Sequence, residues 1–138
     1  MECNIFSEYE QEIISSAQIR KMIRKIFSQL GVDGAVSVHL VDDKKIQKLN
    51  EEHRDKSKPT DVLSFSIQEG FDLPNETTDL GDIFISIPTI KRQAKEYEVT
   101  NREEFIRMLV HGVLHLLGYD HKQDREAEQM FSLQRELI

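Results

Sequence analysis

The chain has 138 residues, of which 38% are hydrophobic and 31% charged, with 6 Gly, 3 Pro and one Cys. This balance is typical of one globular domain and excludes collagen-like, low-complexity and wholly disordered chains. The lone cysteine excludes an internal disulfide framework. The formal charge of −7 argues against a protein that binds long nucleic acids through many phosphate contacts.

The sequence predicts a single domain over residues 1–138 and no targeting segment. The first residues are acidic, without the basic and apolar runs of a signal peptide. No stretch of about 20 apolar residues, the length that spans a bilayer, occurs anywhere. We therefore expect a soluble cytoplasmic protein that makes no membrane contact.

The first half of the chain alternates helix and strand signals. Apolar residues at three- and four-residue spacing predict a helix over 17–30, with Ser16 as its N-cap and Gly31 at its end. Residues 35–41 alternate as a half-buried strand does. Asp42 and Asp43 then open a second helix, whose inward residues are Ile46 and Leu49.

The second half continues with strands and closes with helices. Strands are predicted over 62–66 and 80–86, separated by an acidic surface loop over 68–79. Helices are predicted over 88–97, 101–117 and 124–138, and Asn101 with Glu104 resembles a capping box. These elements indicate an α+β fold, with a small mixed β-sheet of about four strands packed with about five helices.

Three of the five histidines lie within eleven residues, at His111, His115 and His121. The first two are one helical turn apart, so their imidazoles project from the same face. Gly118 suits a helix end and a return of the chain that brings His121 towards the same point. Three imidazoles that leave one position open are typical of a catalytic zinc site, so one ion per chain is predicted.

The helix that carries these histidines is apolar around most of its circumference. Only a narrow strip near Met108 and Glu104 remains for His111 and His115. Two unpaired imidazoles in a buried helix would be costly, whereas a shared metal ion satisfies both.

The histidine spacing also matches the metzincin protease motif, with one difference. Metzincins carry a general-base Glu directly after the first histidine, and this chain has Gly112 there. Peptide cleavage is therefore the weaker reading, because phosphodiester hydrolysis depends more on the metal ion itself.

With its neighbouring residues, the histidine segment resembles the YbeY family of metal-dependent endoribonucleases. The resemblance rests on residues 111–121, HGVLHLLGYDH, and on two earlier segments, 49–65 and 80–86, in the same order as in the family. Two mild departures are His53, where Tyr is common, and Ser66, where Pro is common. Neither affects the proposed ligands.

The resemblance implies an α+β fold with a zinc ion on His111, His115 and His121, at the end of a buried helix. It also implies cleavage of single-stranded RNA, in maturation of the 3′ end of small-subunit 16S ribosomal RNA and in ribosome quality control. In that chemistry a zinc-bound water attacks the phosphodiester. The expected partners are single-stranded ribosomal RNA and ribosomal subunits or their associated proteins.

Arg54 matches an arginine that the family uses at its active site. A guanidinium suits phosphate because its planar fork donates two parallel hydrogen bonds. The alternative is a solvated arginine at a charged helix end.

Asp120 is the carboxylate nearest to the ligands in sequence, and it could orient an imidazole or the bound water. It could equally be an ordinary turn residue. Asp82 is expected to close a turn at a strand start, and His39 to serve packing or the surface.

Two other functions remain open at this point. One is a metallopeptidase-like hydrolase that lacks the usual Glu. The other is a ribosome-associated binding factor whose zinc is mainly structural. Cleavage assays on RNA and on peptide, with and without chelator, separate these possibilities.

The net charge is unevenly distributed along the chain. Residues 17–58 contain ten Lys or Arg against six Asp or Glu, and the remainder eight against nineteen. A basic segment of this kind suits a short single strand near the metal site, although charged runs are often merely solvated.

Overall fold

The computed structural model describes residues 1–8, 11, 13–54, 62–66, 79–118, 132 and 135–136, without the side chains of 50, 52–54, 62–66 and 79. Most of the predicted helix 124–138 lies outside these residues, and so does the predicted loop 68–79 except for its last residue, Asp79, which begins a strand. The described elements, in chain order, are β1 (Glu2–Ser7), α1 (Ser16–Leu30), β2 (Ala35–Val41), α2 (Asp43–Arg54), β3 (Val62–Ser66), β4 (Asp79–Ser86), α3 (Ile87–Glu96) and α4 (Asn101–Leu116).

The four strands form one mixed sheet in the order β1-β2-β4-β3. The neighbours β1, β2 and β4 are parallel, and β3 is antiparallel to β4 at the opposite edge. The α+β class and the mixed sheet are therefore confirmed. The strand β1 was not predicted, because only Cys3 among its six residues is buried and the apolar Phe6 is exposed, so the alternation typical of a half-buried strand is weak.

The main core lies between one face of the sheet and the helices α1, α3 and α4. Alternate residues of the strands point into it, including Val36, Val38 and Leu40 from β2 and Ile83 and Ile85 from β4. The opposite face of the sheet carries α2, whose Ile46 packs with Val41, Leu49 and Phe84. The predicted orientation of β4, with its isoleucines on one face and Phe84 on the other, is confirmed.

The N-caps of α1 and α4 each lie one residue before the predicted position. Ser15, not Ser16, caps α1, because the Ser15 hydroxyl accepts from Gln18 N at 3.2 Å and the Gln18 side chain accepts from Ser15 N at 3.1 Å. Gly31 ends α1 at φ +65°, as predicted.

Thr100, not Asn101, caps α4. Its hydroxyl accepts from Glu103 N at 3.0 Å, so Glu103 takes the place predicted for Glu104. In each case two adjacent polar residues compete for the cap, and the extended backbone conformation at the first one decides.

Candidate metal centre

The helix α4 is buried on most sides, and nine of its sixteen residues are shielded from solvent. Phe105, Leu109 and Val113 lie in the main core with no exposed surface. This packing fixes the rotation of the helix about its axis. It therefore determines where the remaining strip of the helix, with His111 and His115, is presented.

The two histidines converge as the sequence predicts. Their Nε2 atoms are 3.0 Å apart, and the rings meet edge to face with centroids 4.5 Å apart. Both side chains are only partly exposed. Without a metal, one Nε2–H can donate to the other nitrogen, depending on the tautomers.

The geometry of this pair fits a shared metal ion. Two imidazole nitrogens that bind one tetrahedral zinc at about 2.0–2.1 Å lie roughly 3.3 Å apart. The separation of 3.0 Å between the two Nε2 atoms requires only a slight spreading of the rings. Neutral imidazoles are also the commonest metal ligands in proteins.

The helix ends directly after this pair. Gly118 N donates to the carbonyl of His115 at 3.0 Å, and Gly118 has φ +101°. A positive φ is accessible to glycine at little cost, so the predicted helix end at Gly118 is confirmed, whereas the return of the chain towards His121 remains a prediction. His121 and Asp120 lie outside the described residues, and their proposed roles remain predictions.

Among the residues that the structure describes, no group of three His, Cys, Asp or Glu side chains forms a metal-binding cluster. The described part of the centre therefore consists of His111 and His115 alone.

A buried carboxylate on the same helix has a partner that the sequence did not predict. Glu104 is 1% exposed and binds Arg107 through both oxygens, at 2.6 and 2.8 Å. The Arg107 guanidinium also lies 5.3 Å from the centre of the Tyr97 ring. The sequence placed Glu104 in a capping box and near the strip of α4 that carries the histidines, and neither feature predicts its pairing with Arg107.

Arg54 is the last residue of α2, and its side chain lies outside what the structure describes.

The first residue of α2, Asp43, makes several polar contacts with α3 and the residue before it. Asp43 Oδ1 accepts from Ser86 Oγ and Thr89 Oγ1, each at 2.5 Å, and Asp43 Oδ2 pairs with Arg92 Nη2 at 2.7 Å. These contacts fix the first turn of α2 against the start of α3.

The electrostatics of Asp43 follow from these contacts. Burial alone would raise the pKa of its carboxyl. The hydrogen bonds from Ser86, Thr89 and Arg92, together with the Arg92 charge, outweigh burial and lower that pKa below its ordinary value. Asp43 is therefore held as a carboxylate.

The structure does not bring His39 near the histidine pair. His39 lies on the face of the sheet opposite to α4, and its Nε2 is 2.9 Å from Asp82 Oδ1. Asp82 lies within β4 and pairs with a histidine, so its predicted role in closing a turn is wrong. The expectation that His39 serves packing is compatible with its position between two phenylalanine rings.

The described cations of the basic segment 17–58 do not form one surface. The exposed cations of α1, such as Arg24, lie on the main-core side of the sheet, whereas Lys44 and Lys48 of α2 lie on the other side. Because consecutive helices lie on opposite faces of the sheet, positive charge that is contiguous in sequence is divided between two surfaces.

None of the described helices combines the length and apolar character needed to cross a membrane.

Comparisons with known proteins extend these observations. A family model described as endoribonuclease YbeY matches residues 4–138. A protein named endoribonuclease YbeY from Persephonella marina is 44% identical over 136 residues, covering 97% of this chain and 88% of the relative. A protein of the same name from Acholeplasma laidlawii is 38% identical over 138 residues, covering 100% of this chain and 95% of the relative.

The fold also has a solved counterpart. The solution structure of TM1509 from Thermotoga maritima matches with a TM-score of 0.68 and 27% identity, covering 98% of this chain and 85% of that one. Similarity in sequence and in fold thus extends over nearly the whole chain.

Proposed function

Because the chain belongs to the endoribonuclease YbeY family, we propose that it is a zinc-dependent endoribonuclease that cleaves single-stranded RNA. The observation that carries the proposal is the convergence of the His111 and His115 Nε2 atoms to 3.0 Å on one strip of α4. A metal-binding pair at the end of a buried helix is what the family's chemistry requires.

In this proposal His111, His115 and His121 hold one zinc ion. When bound, zinc supplies Lewis-acid chemistry, because it neutralises phosphate charge and acidifies water. Arg54 binds a phosphate oxygen through its guanidinium. Asp120 accepts a hydrogen bond from a ligand imidazole and so fixes the orientation of that ring.

We place this activity in ribosomal RNA maturation at the 3′ end of 16S RNA, and in ribosome quality control in the cytoplasm. Ribosomal RNA and ribosomal subunits or their associated proteins are the proposed partners. The name shared by the relatives supports the ribonuclease activity, and the family resemblance suggests the ribosomal setting.

A cleavage assay on single-stranded RNA, with and without a chelator, tests the proposed activity. Wild-type protein should cleave the RNA with added zinc and lose activity when the chelator is present. Turnover of a peptide instead of RNA would identify a metallopeptidase. Binding to ribosomal particles without turnover of RNA would identify a factor whose zinc is structural.

Replacing His115 with Ala should abolish zinc binding, because one of two convergent nitrogens is lost. Zinc content of the purified protein, measured by mass spectrometry, checks this. His39→Ala is the matched control, since His39 lies on the opposite face of the sheet and should leave zinc content unchanged. One zinc per chain in His115→Ala would contradict the proposed centre.

Replacing Arg54 with Ala should leave zinc bound and lower kcat/KM for RNA by about a hundredfold, the usual cost of removing one donor to developing charge. Arg24→Ala, which removes an exposed arginine of α1, controls for the general loss of positive charge. Full activity of Arg54→Ala would show that Arg54 is a solvated residue at the helix end.

A further inference from the structure

Three aromatic rings form a column across the sheet, on the face opposite to α4. Phe6 of β1, His39 of β2 and Phe84 of β4 occupy directly paired register positions. The rings of Phe6 and His39 are stacked, with centroids 5.0 Å apart and planes at 16°. The rings of His39 and Phe84 are closer, at 4.2 Å and 11°. The planes of the three rings are therefore nearly parallel to one another.

The column is held rigidly at its inner end and centre. Phe84 packs against Val41 of β2 and Ile46 of α2, which form a small apolar cluster between the sheet and α2. The His39 ring is oriented by Asp82, whose Oδ1 lies 2.9 Å from Nε2. The plane of the Phe6 ring is thus set by neighbours that are themselves fixed.

The outer end of the column is open. β1 is an edge strand, and Phe6 is 50% exposed although it is a large apolar residue. One ring face of Phe6 meets His39, and no described strand lies beyond β1 on the side of the other ring face. A flat aromatic face, held in place and turned to solvent, can accept another planar ring at low entropic cost.

Cationic side chains lie beside this end of the column. A groove of about 250 Å³ is lined by Glu8, Asp42, Lys44, Lys45 and Lys48. Glu8 follows Phe6 by two residues and donates its backbone N–H to the Leu40 carbonyl at 2.9 Å, so the groove adjoins the column. Among the described residues that line the groove, three are lysines and two are carboxylates.

We propose that the exposed face of Phe6 stacks on one base of a single-stranded RNA, while the lysines of α2 contact the adjacent phosphates. Aromatic stacking combined with a cationic groove is the general mode by which proteins hold single strands. The choice of RNA rests on the proposed function. The surface lies on the other face of the sheet from His111 and His115, so it would anchor the strand away from the metal centre.

Binding of a labelled oligoadenylate of about twelve nucleotides to the full chain, in the presence of chelator, tests the stacking. Phe6→Leu keeps an apolar side chain without a ring, and should weaken binding roughly tenfold, within the range for one stacked base. Phe6→Tyr, which keeps the ring, should bind as the wild type does. Tyr97→Leu removes an aromatic side chain of similar exposure, 53%, outside the column and should have no effect.

An abasic strand of the same length tests whether Phe6 contacts a base rather than the sugar-phosphate backbone. Its affinity should be equal for wild type and Phe6→Leu, because only phosphate contacts remain. A second measurement uses the wild-type protein alone: the ring protons of Phe6 should shift in NMR spectra when the oligoadenylate binds. Equal affinity of Phe6→Leu and wild type for oligoadenylate, or no shift of the Phe6 ring protons, overturns the proposal.

Two further outcomes are decisive. If Phe6→Leu binds oligoadenylate normally but binds RNA-free ribosomal proteins more weakly, Phe6 contacts a protein and the RNA proposal is wrong. If wild-type protein fails to cleave RNA while binding still depends on Phe6, the proposed activity fails and the stacking surface stands. The two proposals can therefore fail separately.

Discussion

The carboxylate of Asp43 binds the start of α2 to the start of α3. It accepts from Ser86 and Thr89 and pairs with Arg92, and both hydroxyl-bearing residues are buried. Removing the carboxylate leaves these donors without their acceptor, which costs more than the net value of one hydrogen bond. The residue therefore links the start of the helix that carries Arg54 to the rest of the fold.

Asp43→Ala should lower the free energy of unfolding by about 1–3 kcal/mol at neutral pH. Urea denaturation followed by circular dichroism measures the change. Glu51→Ala, which removes an exposed carboxylate from the same helix, should cost less than about 0.5 kcal/mol and serves as the control. Equal losses in the two variants would contradict the role of Asp43.

The contribution of the Asp43 charge should also depend on pH. Its pKa in the folded state is lowered from the ordinary value of 3.8, so the folded protein holds this proton less tightly than the unfolded chain. The stabilisation is fully present well above pH 3.8 and is lost as the pH falls through the folded pKa. Unfolding free energies of wild type and Asp43→Asn should therefore converge in acid, and a constant difference would contradict this.

At the scale of the element, the helix ends show how local chemistry positions the chain. The capping box of Ser15 and Gln18 satisfies two backbone N–H groups at the start of α1. Gly31, with φ +65°, closes the same helix. These local contacts, together with the buried isoleucines Ile19, Ile23 and Ile26, define α1 as one amphipathic unit.

Ser15→Ala should destabilise the protein by about 1 kcal/mol, the usual cost of losing an N-cap side chain. The neighbouring Ser16 is also exposed and lies within the helix, so Ser16→Ala should be close to neutral. The melting temperatures of the two variants provide the comparison. A larger loss in Ser16→Ala than in Ser15→Ala would return the cap to the residue predicted from sequence.

At the scale of the whole molecule, the described core connects α1, α3 and α4 to the strands β1, β2 and β4. Leu109 lies in this core on α4, two residues before His111, with no exposed surface. The position of the histidine pair therefore depends on the packing of the entire domain.

Leu109→Ala should lower the free energy of unfolding by about 2–5 kcal/mol, since it removes apolar contacts and leaves a cavity. Leu30→Ala, at the partly buried end of α1, should cost clearly less. Chemical denaturation of both variants measures the difference. Similar small losses would show that the core around α4 adapts to the missing side chain.

The sequence alone determined the features that depend on neighbours in the chain. The periodicity of α1 and α4, the alternation in β2 and β4, the positive φ at Gly118 and the convergence of His111 with His115 all follow from spacings of a few residues. Local geometry sets such features whatever the rest of the fold does. The cap positions were missed by one residue, because adjacent polar residues give nearly equal local signals.

Only the tertiary structure decided the features that join distant segments. Asp43 meets Ser86, His39 meets Asp82, and Phe6 meets His39 because strand order and register bring them together. The same topology places α1 and α2 on opposite faces and so divides a basic segment that is continuous in sequence. Long-range pairing has no local signature, since it depends on the burial of whole sheet faces rather than on the residues next to each contact.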